Sequence, residues 1–318
     1  MMRVVVAGAL ACSAPFLALA CTGQSAARGL DEPLQVQGGQ FIAGPLPGTA
    51  PPSEVDAGPA PATGGLAVRA VNLASQLVVP GGDKVISGRA SGAPASIGVR
   101  FVDIGTGYWI VPIEEPDPNF PGQLTFLFHA DFNANDPPGT HPLRFTAFDA
   151  HGKPGQQLDA PLCVLSRVPD NLHECDPTAA VPAAVITLQW DADFDLDLHV
   201  VTPDRVDINP KMPIGAPVEA GARPPPTAPR IDRDSLLGCV PDGLRQEDLV
   251  FQKRPTGIFD IYADPFDPCG KAGVHFKVTV YESVGGGLQP KFTTSGELLG
   301  SQATGGGSAG LFVYSYGF

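Results

Sequence analysis

From Ala184 to Val200 every even position is apolar: Ala184, Ile186, Leu188, Trp190, Ala192, Phe194, Leu196, Leu198 and Val200. The odd positions run Val185, Thr187, Gln189, Asp191, Asp193, Asp195, Asp197 and His199. A period of two marks a strand with one buried face. One strand of this length would span about 56 Å at ~3.3 Å per residue. Strands usually hold about 5–6 residues, so the run must break. The break is expected at 191–195, where three carboxylates would otherwise stand in line on one face and repel one another. The pattern predicts a strand over 184–190, an acidic turn, and a second strand over 196–202. Pro203 ends the second strand, because it offers no ladder donor.

Apolar patches recur upstream at 66–73, 77–79, 84–88, 97–102, 108–113, 124–132 and 143–148. Turn residues separate them, as at Pro80-Gly81-Gly82, Gly105-Thr106-Gly107 and Pro121-Gly122. Seven short strands with regular turns predict an immunoglobulin-like β-sandwich over 66–165. The segment 143–155 resembles the closing hairpin of bacterial immunoglobulin-like domains. Downstream, Val274, Phe276, Val278 and Val280 alternate with polar neighbours, and 256–263 and 311–318 are further strand candidates. They predict a second β-sandwich over 182–318, behind a connector at 166–181. The stretch 209–229, with Pro224-Pro225-Pro226 inside it, is expected to form an exposed loop because prolines do not join a sheet interior. The fold class is all-β, with two β-sandwich domains.

Composition supports short strands over long helices: 38 Gly and 35 Pro punctuate nearly every apolar run of the 318 residues. The net charge of −13 disfavours nucleic acid and anionic lipid surfaces as partners and favours cationic partners or a divalent metal. At the start, Arg3, the apolar run 4–19 and Ala18-Leu19-Ala20 make residues 1–20 a signal peptide. Leu17-Ala18-Leu19-Ala20-Cys21 resembles a bacterial lipobox. It implies acylation of Cys21 and a membrane anchor; ordinary cleavage that leaves Cys21 free is the alternative. Thr22 after the cysteine implies outer-membrane sorting. Cleavage would leave 19 basic and 33 acidic residues, a net charge of −14. Residues 21–65, rich in Gly, Pro and Ala, are expected to be a disordered tether.

Asp191, Asp193, Asp195 and Asp197, with Asp232 and Asp234 as a second group, are the candidate metal ligands. Alternate aspartates can aim carboxylates into one shell, and calcium takes 6–8 oxygens. The run is not an EF-hand loop, since Leu196 stands where that loop needs glycine and Thr202 where it needs an acid. The competing reading is a solvated face whose aspartates cap their own turn. His199, beside the acids, is a ligand or base candidate, or a surface residue of the polar face. Four further cysteines belong to an exported and therefore oxidising setting. Of their three connectivities, Cys163–Cys175 and Cys239–Cys269 are expected, the first stapling the connector. A zinc site is not expected, because short Cys-x2-Cys spacing is missing.

Enzymatic motifs are sparse. The six histidines form no His-Glu-x-x-His pair, and no Gly-x-Ser-x-Gly elbow occurs. The glycine runs at 285–287 and 305–307 lack a phosphate-loop lysine. A glycosidase needs only two carboxylates, yet these acids lie in turns without an aromatic cleft. Only two tryptophans occur, Trp109 and Trp190.

Trp190-Asp191, then Asp195-Leu196-Asp197-Leu198-His199-Val200 and Pro203, resemble the YfaP-like family of bacterial secreted proteins, a domain of unknown function. Ile231 to Ser235, Cys239, Asp242-Gly243 and Glu247 are similar to its second block. Thr256 to Tyr262, Cys269-Gly270 and 276–281 are similar to its third. The resemblance covers about 182–284, and Cys239–Cys269 would tie its second and third blocks. Arg205 departs from it, standing where a turn glycine is usual. The resemblance implies a secreted β-sandwich accessory module. The expected function is a non-enzymatic, envelope-anchored lipoprotein that acts as a calcium-stabilised binding or structural module at the cell surface. The alternatives are a secreted hydrolase or its accessory subunit, and an inhibitor or chaperone of a cationic partner.

Overall fold

The computed structural model describes residues 29–50, 65–169, 172–215 and 223–318. The expected signal peptide, residues 1–20, and Cys21 lie outside them. The chain is all-β and forms two β-sandwiches in sequence order.

The first sandwich contains β1 (Leu34–Val36), β2 (Gln40–Ala43), β3 (Ala67–Asn72), β4 (Leu77–Val78), β5 (Asp83–Ser91), β6 (Ser96–Phe101), β7 (Gly107–Pro112), β8 (Gln123–Phe132), β9 (Gly139–Thr140), β10 (Leu143–Phe148), β11 (Pro154–Ala160) and β12 (Cys163–Val164). One layer runs β1-β8-β5-β3 and the other β11-β10-β6-β7-β2. A parallel pairing of Gln156 with Ala67 joins β11 to β3. Name β3, β5, β6, β7, β8, β10 and β11 in turn A, B, C, C′, E, F and G. The layers then read A-B-E and G-F-C-C′, an immunoglobulin-like order. The alternation in β8 sets the inner face: Phe126, Phe128, Ala130 and Phe132 are buried among Ile86, Phe101 and Phe145.

Part of the expected tether is folded. Leu34, Gln35 and Val36 pair with Phe132, Asp131 and Ala130, and 40–43 pair with β7. Leu34 and Val36 enter the core, and the indole N–H of Trp109 donates to the Leu34 carbonyl at 2.6 Å. Residues 29–50 therefore belong to the first sandwich, and 66–165 is too short a boundary for it. Strands of three and four residues are too short to show a period. They form because the edges of β8 and β7 supply ladder partners.

The second sandwich contains β13 (Ala184–Trp190), β14 (Asp195–Val201), β15 (Asp207–Ile208), β16 (Arg230–Ile231), β17 (Gln246–Phe251), β18 (Ile258–Asp267), β19 (Gly273–Val284), β20 (Gly287–Leu299) and β21 (Leu311–Gly317). Its sheets run β16-β17-β13-β19-β20 and β15-β14-β18-β21. The even positions predicted to face inward do so: Ile186, Leu188, Phe194, Leu196, Leu198 and Val200 share one core. Each such fully buried side chain contributes about 1.5–3 kcal/mol. The segment 209–229 is not wholly exposed. Asn209 and Ala228 are buried, and Ile214 bridges to Arg230.

Both expected disulfides are present, Cys163–Cys175 with Cα atoms 5.9 Å apart and Cys239–Cys269 with 5.4 Å. The first lies in an apolar cluster with Leu165 and Leu244 that joins the two sandwiches. Beside it, the N–H of Val79 donates to Gly243 and that of Val85 to Pro241. Lys84, fully buried, donates its ammonium to the carbonyls of Leu73 (3.0 Å), Ser75 (2.9 Å) and Asp242.

Candidate functional site

The outer face of β14 carries the site. Leu196, Leu198 and Val200 point into the core, so Asp195, Asp197 and His199 must share the opposite face. Across the ladder Asp197 is opposite Asp264, and Asp195 is opposite Asp267. A bulge follows, because Leu196 pairs with Pro265 and leaves Phe266 as the extra residue. Carboxylates directly opposite one another repel. On a free sandwich face water would screen them. Here the face is roofed: Asp195 is 1% exposed, Asp197 4%, His199 8% and Asp264 0%.

Three segments make the roof. Residues 207–215 bring β15 beside β14, and the N–H of Ile231 bonds to Pro213. The 232–239 segment carries Asp234, and Cys239–Cys269 clamps it to the end of β18. The loop after β20 crosses the bulge, with Thr304 N–H donating to Pro265 (2.9 Å) and Gly305 N–H to Phe266 (3.1 Å). The clamped segment contains two non-glycine residues with left-handed backbone, Leu236 (φ 63°) and Cys239 (φ 62°). Such residues persist only where the surroundings over-determine them.

Asp195, Asp197 and Asp234 each offer an oxygen within 4.8 Å of the others. Among the described residues, neither carboxylate oxygen of Asp195 has a hydrogen-bond partner, and both are buried. Burial, then Asp197 and Asp234, push the Asp195 carboxyl up to about 7; the Gly238 N–H nearby opposes the rise without reaching hydrogen-bond geometry. Asp197 is pushed up to about 6 by burial and Asp234, with His199 opposing. Burial also raises Asp234, as does Asp242. Below them Glu247 is fully buried and raised by burial and Asp197. It accepts the N–H of Leu198 at 2.7 Å and of Ser235 at 3.2 Å, so it ties β14 to the roof. The cation that faces the acids is Lys211, whose ammonium lies 4.2 Å from the Phe266 ring centre.

Three expected ligands lie elsewhere. Asp191 extends the pairing of β13 with β19, accepting the N–H of His275 at 3.0 Å. Asp193 accepts from Arg245 at 2.6 Å, and Arg245 also reaches Asp83 of the first sandwich. Asp232 pairs with Arg233 and accepts the N–H of Asp248 at 3.0 Å. Each has a cation or backbone donor from a distant part of the sequence. The acid that sequence reasoning passed over is Asp264; Glu247 stands in the second block of the family resemblance but not among the expected ligands. The one available signal was Asp264 on the polar side of the alternating run that ends in Ala263, and it needs the register of β18 to gain meaning.

Asp195 and Asp197 line none of the principal clefts of the described residues. Asp234 alone borders one, with Ser75, Arg233 and Asp242. The arrangement can hold a cation.

No family model matches the chain, and no curated protein matches it. Among solved structures, the fibronectin(III)-like modules of Clostridium thermocellum CbhA align at 10% identity, over 70% of this chain and 87% of theirs, with a TM-score of 0.20. The C-terminal domain of the AgI/II polypeptide BspA of Streptococcus agalactiae aligns at 10% identity, over 69% and 93%, with a TM-score of 0.18. Scores this low carry no inference about function.

Proposed function

We propose that the protein is a non-enzymatic, envelope-anchored lipoprotein that acts as a binding or structural module. Its YfaP-like second sandwich is locked by a calcium ion held by Asp195, Asp197 and Asp234. The observation that carries the metal reading is Asp195: a carboxylate 1% exposed, with both oxygens buried and unpartnered among the described residues, facing two more acids. An ionised carboxylate in that position is unfavourable unless a cation completes it. Calcium fits because all three donors are carboxylates. The ion would tie the roof segment at Asp234 to β14 and so fix the loops beside the sandwich junction. Anchoring through Cys21 rests on the lipobox-like sequence and would place the sandwiches at the outer membrane.

The test is thermal unfolding of the oxidised full chain in EDTA and then in calcium. A ligand bound only by the folded state stabilises it by about 2.7 kcal/mol at 100 times its Kd. The expected result is a calcium-dependent rise in Tm that Asp195→Asn with Asp234→Asn abolishes and Asp193→Asn leaves intact. No rise at millimolar calcium would overturn the reading.

A further inference from the structure

Beside the three-aspartate group lies a second group of different chemistry. Asp197, His199 and Asp264 each offer a ligand atom within 4.8 Å of the others, and all three are buried. The imidazole is oriented: His199 Nδ1 lies 2.9 Å from Asp207 Oδ2 on β15. That contact makes Nδ1 the protonated nitrogen of the neutral ring and turns the Nε2 lone pair toward Asp264. His199 Nε2 and Asp264 Oδ2 are 3.9 Å apart, too far for a hydrogen bond. Asp264 is positioned from behind, since the hydroxyl of Thr304 donates to Oδ1 at 2.7 Å. Its Oδ2 is buried and has no hydrogen-bond partner among the described residues. A lone pair and an unpartnered carboxylate oxygen therefore face each other across a gap. That gap lies within the sum of two metal–ligand bonds of about 2.0–2.1 Å.

We infer that Asp197, His199 and Asp264 form a second cation site, selective for a borderline divalent transition ion of the zinc type. The nitrogen donor sets the class: calcium takes oxygen ligands, whereas imidazole suits zinc and its neighbours. Asp207 is the outer carboxylate that holds the ligating histidine, a recurrent partner of metal-bound imidazole. The two sites share Asp197, so one carboxylate can offer an oxygen to each. The three protein ligands come from neighbouring strands, β14 and β18, and Thr304 ties the roof loop to them. Zinc there would staple the outer face of the β14–β18 pair, as the hard ion staples Asp234 to its end. This inference is independent of the calcium reading except at Asp197.

The test is zinc titration by calorimetry of the oxidised, EDTA-stripped full chain in excess calcium. The expected result is one zinc bound per chain, with affinity lowered at least about 100-fold in His199→Gln and about 10–100-fold in Asp207→Asn. Asp234→Asn keeps zinc binding and loses the calcium-dependent rise in Tm; His199→Gln does the reverse. The two readings therefore fail separately. In the unmutated chain, ¹⁵N-histidine NMR provides a second measurement that needs no variant. Zinc is expected to shift the Nε2 of His199 and leave its Nδ1 protonated. Absence of zinc binding, an unchanged affinity in His199→Gln, or a zinc-induced shift confined to another histidine would overturn the inference.

Discussion

The junction between the two sandwiches and the acid group on β14 are both buried polar regions, and both touch the 232–245 segment. They are built on opposite terms. At the junction, charge is matched from within the chain. The Lys84 ammonium reaches three carbonyls, and Arg245 bridges Asp193 and Asp83 across the two domains. On β14 the acceptors outnumber the donors, and Asp195 keeps two buried oxygens without a partner among the described residues. Asp193 and Asp195 are two residues apart in sequence. One is a structural ion pair and the other is a buried carboxylate without a hydrogen-bond partner among the described residues. A burst of aspartates is thus not one site: what decides each residue is which distant segment arrives opposite it.

The largest effect that separates the two regions is expected at Lys84. Lys84→Met would leave the buried Leu73 carbonyl and the partly buried Ser75 and Asp242 carbonyls without their donor, at about 1–3 kcal/mol per orphaned group before water relieves some of the loss. Urea unfolding should show a loss of about 3 kcal/mol or more, the same in EDTA and in calcium. A loss seen only in EDTA would mean that the junction and the acid group are one unit.

The next effect is on pH. Burial and neighbouring acids raise Asp195 to about 7 and Asp197 to about 6 in the folded chain, above the ordinary 3.8. Between about pH 4 and 7 the folded state then holds more protons than the unfolded state. Stability is therefore highest at the acid end of this window and is lost as pH rises through the folded values. In EDTA, going from pH 5.5 to 7.5 should cost about 3 kcal/mol through these two groups. Calcium should flatten or reverse the slope, because bound ion requires ionised carboxylates. Asp195→Asn should reduce the slope in EDTA. A chain whose stability in EDTA rises over this range would contradict the account of the acid group.

The smallest effect is expected at Asp193. Asp193→Asn leaves Arg245 its second partner, Asp83, so the loss should be about 1 kcal/mol, in line with partly exposed pairs. The calcium response should not change. A lost calcium response would return Asp193 to the metal site.

Much of the fold was legible in the alternation of apolar residues. The strand expected at 184–190 is β13, and the one expected at 196–202 begins one residue earlier. The seven patches of the first domain each became a strand, and both disulfides joined the expected cysteines. Burial of alternate positions is a local signal, and it survives in one sequence. The roof over β14 was not legible, because it is built from turn residues and prolines that carry no period. Without the roof, Asp195, Asp197 and His199 are the polar face of an ordinary strand. The removal of Asp191, Asp193 and Asp232 from the ligand set was also hidden. Two of their partners, Asp248 and His275, are placed by the register of β17 and β19, and Arg245 immediately precedes β17. Arg205 adopts a left-handed backbone with φ 64°, a conformation in which a side chain carries a steric cost.

The central claim is that the buried acids on β14 are completed by an ion from outside the chain. The most direct measurement is a crystal structure of the oxidised full chain grown in calcium, with anomalous scattering used to place the ion. The account predicts one calcium within about 2.3–2.6 Å of an oxygen from each of Asp195, Asp197 and Asp234. It would be contradicted by a structure in calcium with no ion there, in which the Lys211 ammonium or protonated carboxyls bonded to one another fill the space.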